Sequence, residues 1–166
     1  ELADELGAVK SDLAAVESEV ASLAARMPFT VSAYDGLDKA IGSSAAKVTE
    51  LSVTAPADGQ VSVHYSAAVT VAGSSGTVYA TCAPFVDGTL PTGRVGVDSE
   101  GAALVSSYGH PVSDGEGSAT GVRVFDIAAG QTVTYVVACS RGPVTTSAWA
   151  IAPTMAAIRV ARSGLR

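Results

Sequence analysis

The sequence predicts a mainly β protein: an N-terminal α-helical coiled coil followed by an antiparallel β-sandwich of the jelly-roll kind. Three observations predict it. An uninterrupted apolar heptad fills residues 1–27 and stops at Pro28. The other 139 residues are rich in Val, Thr, Ser, Ala and Gly, and fall into alternating runs divided by Gly, Pro and Asp turns. No second segment shows a helical period, so eight to ten strands must find each other in two packed sheets.

The helix comes first. Leu2, Leu6, Val9, Leu13, Val16, Val20, Leu23 and Met27 are spaced 4, 3, 4, 3, 4, 3, 4. That average of 3.5 holds one seam in register along a helix. Leu6, Leu13, Val20 and Met27 take position a; Leu2, Val9, Val16 and Leu23 take position d. Leu at a with a β-branched residue at d shifts preference from two strands towards three or four, and a homotrimer is the expectation. The alternative is one amphipathic helix lying on its own domain. Pro28 ends the segment because the residue before a proline is pushed out of helical space. The stalk would be roughly 40 Å long at the α-helical rise.

The strands follow in order. Phe29 to Tyr34 alternates directly after the stalk, and residues 36–44 read as a loop. Lys47 to Val53 leads to a turn at 55–59. Val61, Val63, Tyr65, Ala67, Val69 and Val71 then share one face of a long strand. A turn at 73–76 enters Val78 to Val86. Residues 87–117 are loop-rich, with short strands expected at 94–97 and 102–108. Ser118 to Ile127 is the next strand, and Val133, Tyr135, Val137 and Cys139 share a face of another. The last runs from 148 to 160 and contains Pro153, which cannot donate to a ladder and so marks an edge or a bulge. With nine aromatic residues in all, the core must be built from Val, Ala, Ile and Tyr.

Composition excludes several functions. The net charge is −6, and the basic residues beyond the stalk are scattered except Arg159, Arg162 and Arg166 near the end, so nucleic acid is not an expected partner. No apolar run reaches the 18 or so residues of a membrane span. The chain opens at Glu1 without an initiating Met, which reads as a processed chain or an excised piece whose upstream part would hold any targeting signal or more stalk. It contains no Asn, hence no N-glycosylation acceptor, and Arg outnumbers Lys seven to three, the bias of a GC-rich genome. Cys82 and Cys139 each sit mid-strand. If those strands are neighbours, a disulfide closing about 58 residues would stabilise by roughly 3–4 kcal/mol and imply an oxidising setting; a free buried pair is the alternative.

Site chemistry is sparse. His64 and His110 are the only histidines, too few to complete a zinc set at useful spacing. No Gly-x-Ser-x-Gly elbow occurs, so no catalytic residue, metal or cofactor is expected and the chain reads as a non-enzyme. The acidic stretches Asp98-Ser-Glu100 and Asp114-Gly-Glu116 offer oxygens in Gly-rich backbone but match no EF-hand spacing. Loops on a rigid sandwich are where binding residues sit, which makes Tyr108, His110, Asp114 and Glu116 the candidate ligand loop. Trp149, the only tryptophan, reads as core or inter-subunit packing ahead of a sugar-stacking platform.

A short trimerising stalk followed by about 140 residues of jelly roll resembles the C1q/TNF-like head architecture, in which three sandwiches pack around the axis and the stalk enters at their base. The segments Leu51 to Val63 and Phe125 to Tyr135 are also similar to sandwich domains of secreted actinobacterial proteins and phage tail fibres. The resemblance implies an extracellular or virion-surface homotrimer that presents loop surfaces to a cell-surface glycan or protein. The alternative is a purely structural domain that trimerises or caps a longer fibre or particle.

Overall fold

A computed structural model describes residues 1–73, 76–109 and 112–161. Helix α1 (Leu2–Arg26) precedes nine strands: β1 (Phe29–Tyr34), β2 (Lys39–Ala40), β3 (Ala46–Thr54), β4 (Gly59–Gly73), β5 (Gly76–Val86), β6 (Ala103–Gly109), β7 (Val112–Ile127), β8 (Thr132–Arg141) and β9 (Thr145–Ala161). Sheet I has the order β1-β9-β4-β7, with β2 also beside β9; sheet II has the order β3-β8-β5-β6. All pairings are antiparallel. From β3 onward the chain crosses between the sheets at nearly every turn, which makes the sandwich a jelly roll.

The period-two alternation of β4 is realised directly. Val61, Val63, Tyr65, Ala67, Val69 and Val71 are all at most 5% exposed and meet Val133, Tyr135 and Val137 from sheet II. The Tyr65 hydroxyl donates to the Cys82 carbonyl at 2.7 Å and the Gly101 carbonyl at 3.2 Å, and burial pushes its phenol up to about 12. Cys82 and Cys139 face each other in the β5–β8 register, 4.1 Å between Cα atoms, and are joined as a disulfide inside the core.

Three expectations need correction. No strand forms at 94–97. Residues 87–102 instead fold over the outside of sheet II, where Val95 packs with Ala83, Phe85, Val136 and Ala138, and its N–H donates to the Ser140 hydroxyl at 2.8 Å. The consecutive apolar residues of β5 and β8 call for this cover, because both faces of those strands are apolar. Next, β7 begins at Val112, so the acidic segment 114–117 is strand and not loop. A Cβ at Gly115 would fall 2.4 Å from Ser107, and one at Gly117 2.7 Å from Val105. These glycines let β6 and β7 come together where the chain passes from one sheet to the other. Last, the stretch 36–44 contains the short strand β2.

Pro153 sits in a central strand at a bulge. Ser66 pairs Thr154 and Ala68 pairs Ile151, so the single residue Ala67 faces both Ala152 and Pro153. Ala152 takes φ 45° there, and the carbonyl of Pro153 accepts from Asp35 N–H at 3.1 Å.

Two buried hydroxyls, Tyr135 Oη and Thr81 Oγ1, have no hydrogen-bond partner among the described residues. Burying a polar group without a partner costs about 1–3 kcal/mol. Tyr135→Phe, which keeps the ring against Phe125 at 4.9 Å between centroids, is therefore expected to stabilise by about 1 kcal/mol, and Thr81→Val by a similar amount. Thermal unfolding checks this: a rise of about 2–4 °C for each is expected, and a fall would show that the hydroxyl is satisfied.

Candidate functional site

The candidate site has two parts, the exposed seam of α1 and the end of the sandwich farthest from it. All eight heptad residues are exposed, from 56% at Leu6, Val16 and Leu23 to 83% at Leu2. The helix therefore does not bury its apolar stripe on its own sandwich, which rules out the packed-helix alternative for the chain taken singly. No helix is long and apolar enough to cross a membrane.

Helix α1 meets the sandwich at a buried cation. Arg159 of β9 is 1% exposed, and its guanidinium donates to the carbonyls of Ala57 at 3.0 Å, Asp58 at 3.2 Å and Met27 at 3.5 Å, with the Phe29 ring 6.0 Å away. Sequence reasoning set Arg159 in a basic cluster with Arg162 and Arg166. In the structure it points inward, and the other two lie outside the described residues. The signal was its register: Arg159 shares the parity of the buried Met155 and Ala157.

Register also fixes the two ends. Phe29 pairs Arg159 at the stalk end, and Gly73 pairs both Thr145 and Val112 at the other. The connections β4–β5, β6–β7 and β8–β9 therefore gather at the end remote from the stalk. Of the candidate ligand residues, Tyr108 lies near the end of β6, opposite Thr77, and Asp114 near the start of β7, but their side chains are outside the described ones; His110 is outside the described residues altogether. Glu116 is exposed and pairs Thr70, on the outer face of sheet I. Glu100 of the other acidic stretch accepts from Arg123 Nε at 3.1 Å. Among the described residues no three His, Cys, Asp or Glu side chains gather as a metal set.

Trp149 is not a core residue. It is 45% exposed on the outer face of sheet I, between a shallow hollow of about 240 Å³ lined by Thr70, Glu116 and Ser147 and another of about 460 Å³ beside Ile41 and Arg141. His64 lies on the same face, its Nε2 2.9 Å from the Ser62 hydroxyl.

No protein-family model matches this chain, and no curated protein matches it. Solved structures are similar at low identity. They include the Eiger TNF from S. frugiperda, at 10% identity and TM-score 0.42 over 80% of this chain and 93% of that one. The VP2 subviral particle of infectious bursal disease virus gives 10% and 0.45 over 79% of this chain and 32% of that one. Murine APRIL gives 8% and 0.35 over 80% and 100%. At these values the likenesses add nothing to the jelly roll that the strand order already defines, and the chain's own strand order and exposed helix are what a functional reading has to rest on.

Proposed function

We propose that this chain is the stalk and head of a non-enzymatic, homotrimeric extracellular binding protein, which presents three copies of its stalk-distal loops to a cell-surface glycan or protein. The observation that carries the reading is the seam of α1, a complete heptad left uncovered by its own sandwich. A 25-residue helix with that stripe in water is only marginally stable alone and gains most from partner helices. The disulfide fits an oxidising compartment. Trivalent display raises avidity without any new contact, so weak single-site binding at the distal loops suffices.

Light scattering on a sizing column tests the stoichiometry. The full chain is expected at three times 16.5 kDa, and a chain lacking residues 1–27 at lower stoichiometry. Glycan arrays and whole-cell binding then test the loops. Tyr108→Ala with His110→Ala is expected to abolish binding at unchanged mass. Unchanged binding by that variant would move the site elsewhere, and a trimer that binds nothing would leave the structural capping role.

A further inference from the structure

Trp149 stands among short side chains. Across the strands the register sets it beside Ala40 of β2 on one side and Thr70 of β4 on the other, with Glu116 of β7 next in the same row. Along β9 the residues of its own parity are Ser147 and Ile151. The indole therefore has little to lean on, and it keeps 45% of its surface in water. It also parts two hollows. The one of about 240 Å³ holds Glu116 with Thr70 and Ser147, and the one of about 460 Å³ holds Arg141 with Thr146. A carboxylate only accepts hydrogen bonds, a guanidinium only donates them, and a hydroxyl does both. The ion pairs among the described residues involve neither Glu116 nor Arg141.

We infer that Trp149 is the platform of a saccharide seat, on which an uncharged sugar ring stacks while Glu116 on one side and Arg141 on the other bind its hydroxyls. The inference rests on the binding head proposed above, and names the class of its ligand and one place where that ligand is held. Three features select a sugar. The C–H face of a sugar ring is weakly positive and meets the negative face of the indole, while the hydroxyls around its rim both donate and accept, as an acceptor and a donor on opposite sides require. Other occupants fit less well. An apolar side chain seeks an enclosed apolar pocket, and these hollows are shallow and edged by charge. A quaternary ammonium seeks several rings, and no second aromatic lines either hollow among the described residues. A sulfated or sialylated glycan brings negative charge to Glu116 and to a chain of net charge −6. Position is the third feature. Trp149 lies roughly 33 Å along β9 from Arg159 at ~3.3 Å per residue, and its row is about 10 Å from the Gly73 end, so the seat is at the presented end of the head. A seat for one ring binds weakly, and three copies compensate.

Trp149 is the only tryptophan, so its emission reports on the seat directly. The full chain is titrated with tetrasaccharides of glucose, mannose, galactose and N-acetylglucosamine, and with a heparin tetrasaccharide as the anionic probe. The expected result is that at least one neutral tetrasaccharide shifts the emission to the blue and shields it from acrylamide, saturably. By calorimetry, Trp149→Ala and Glu116→Gln should each weaken that sugar roughly tenfold or more, and Trp149→Phe, which keeps a ring, should bind better than Trp149→Ala. Both positions are exposed, so mass and circular dichroism should not change. A Trp149 already shielded from acrylamide in the sugar-free protein would mean that the face is covered, and would overturn the seat. Binding of heparin alone would overturn it too. Sugar binding that leaves the emission unchanged and survives Trp149→Ala would put the site elsewhere and leave the binding head standing. Cell binding that persists after periodate oxidation of the surface glycans, with no tetrasaccharide bound, would make the ligand a protein and overturn the seat alone. No binding to tetrasaccharides or to cells would remove the seat and the binding head together.

Discussion

A chain carrying Val9→Asp and Val16→Asp is expected to run at 16.5 kDa with its sandwich intact. Both residues occupy d positions, and in a three-stranded bundle the pair becomes six carboxylates facing one axis. Each would leave water without a partner, at a cost of several kcal/mol per ion. In the single chain the same residues are 63% and 56% exposed, so the head loses nothing by the change. Two measurements belong together here. Light scattering should fall to the monomer, and the helical circular dichroism should drop, because an isolated helix of this length frays in water. A mass that stayed near three times the monomer would mean that the stalk does not hold the copies together.

The second large effect concerns the disulfide. Replacing Cys82 and Cys139 together by Ala is expected to cost about 4 kcal/mol, from the loop entropy of a bridge across a separation of 57 residues. That is a large share of the roughly 5–15 kcal/mol that a domain has in total. The midpoint of urea unfolding should fall, and the slope should rise, because the unfolded chain without the bridge exposes more surface. Both cysteines are at most 1% exposed, so a reductant reaches them only when the sandwich opens. Reduction of the native protein should therefore track its unfolding rate, and identical urea midpoints for the two proteins would show that the bridge constrains little in the unfolded chain.

What was legible in the sequence was the pattern that burial imposes. The alternation at 61–71 placed β4, and the same logic placed β1, β3, β5, β8 and β9 to within a few residues. The misses share a cause: residues whose role is set by a distant neighbour. Gly115 and Gly117 look like loop glycines, yet they lie in a strand where β6 passes too close for a Cβ. The spacing of Gly115, Gly117, Ala119 and Gly121 was the available signal, since small residues at every second position mark a crowded face. Arg159 looked like a surface cation because charge is usually solvated; three backbone carbonyls at the stalk junction replace the water. Residues 87–102 showed no period because their cover is irregular, though Phe85 and Val136, on the face opposite the main core, already required one. Of the two packing roles the sequence offers Trp149, core and inter-subunit contact, the core one fails, because its parity in β9 is opposite to that of the buried Ala148 and Ala150.

The junction between stalk and head also has a mechanical meaning. β1 carries the stalk and runs antiparallel to β9 through six residue pairs, from Phe29 with Arg159 to Tyr34 with Thr154. A pull on the stalk against a head anchored by its distal loops acts along β1. Its ladder bonds lie across that direction, so they are loaded together in shear and cannot open one after another like a zip. The Arg159 guanidinium, bonded to Met27 on the stalk side and to Ala57 and Asp58 in the β3–β4 turn, ties down the end of the ladder where such a tear would begin. The fold thus puts its most force-resistant geometry at the point where a tether would be strained.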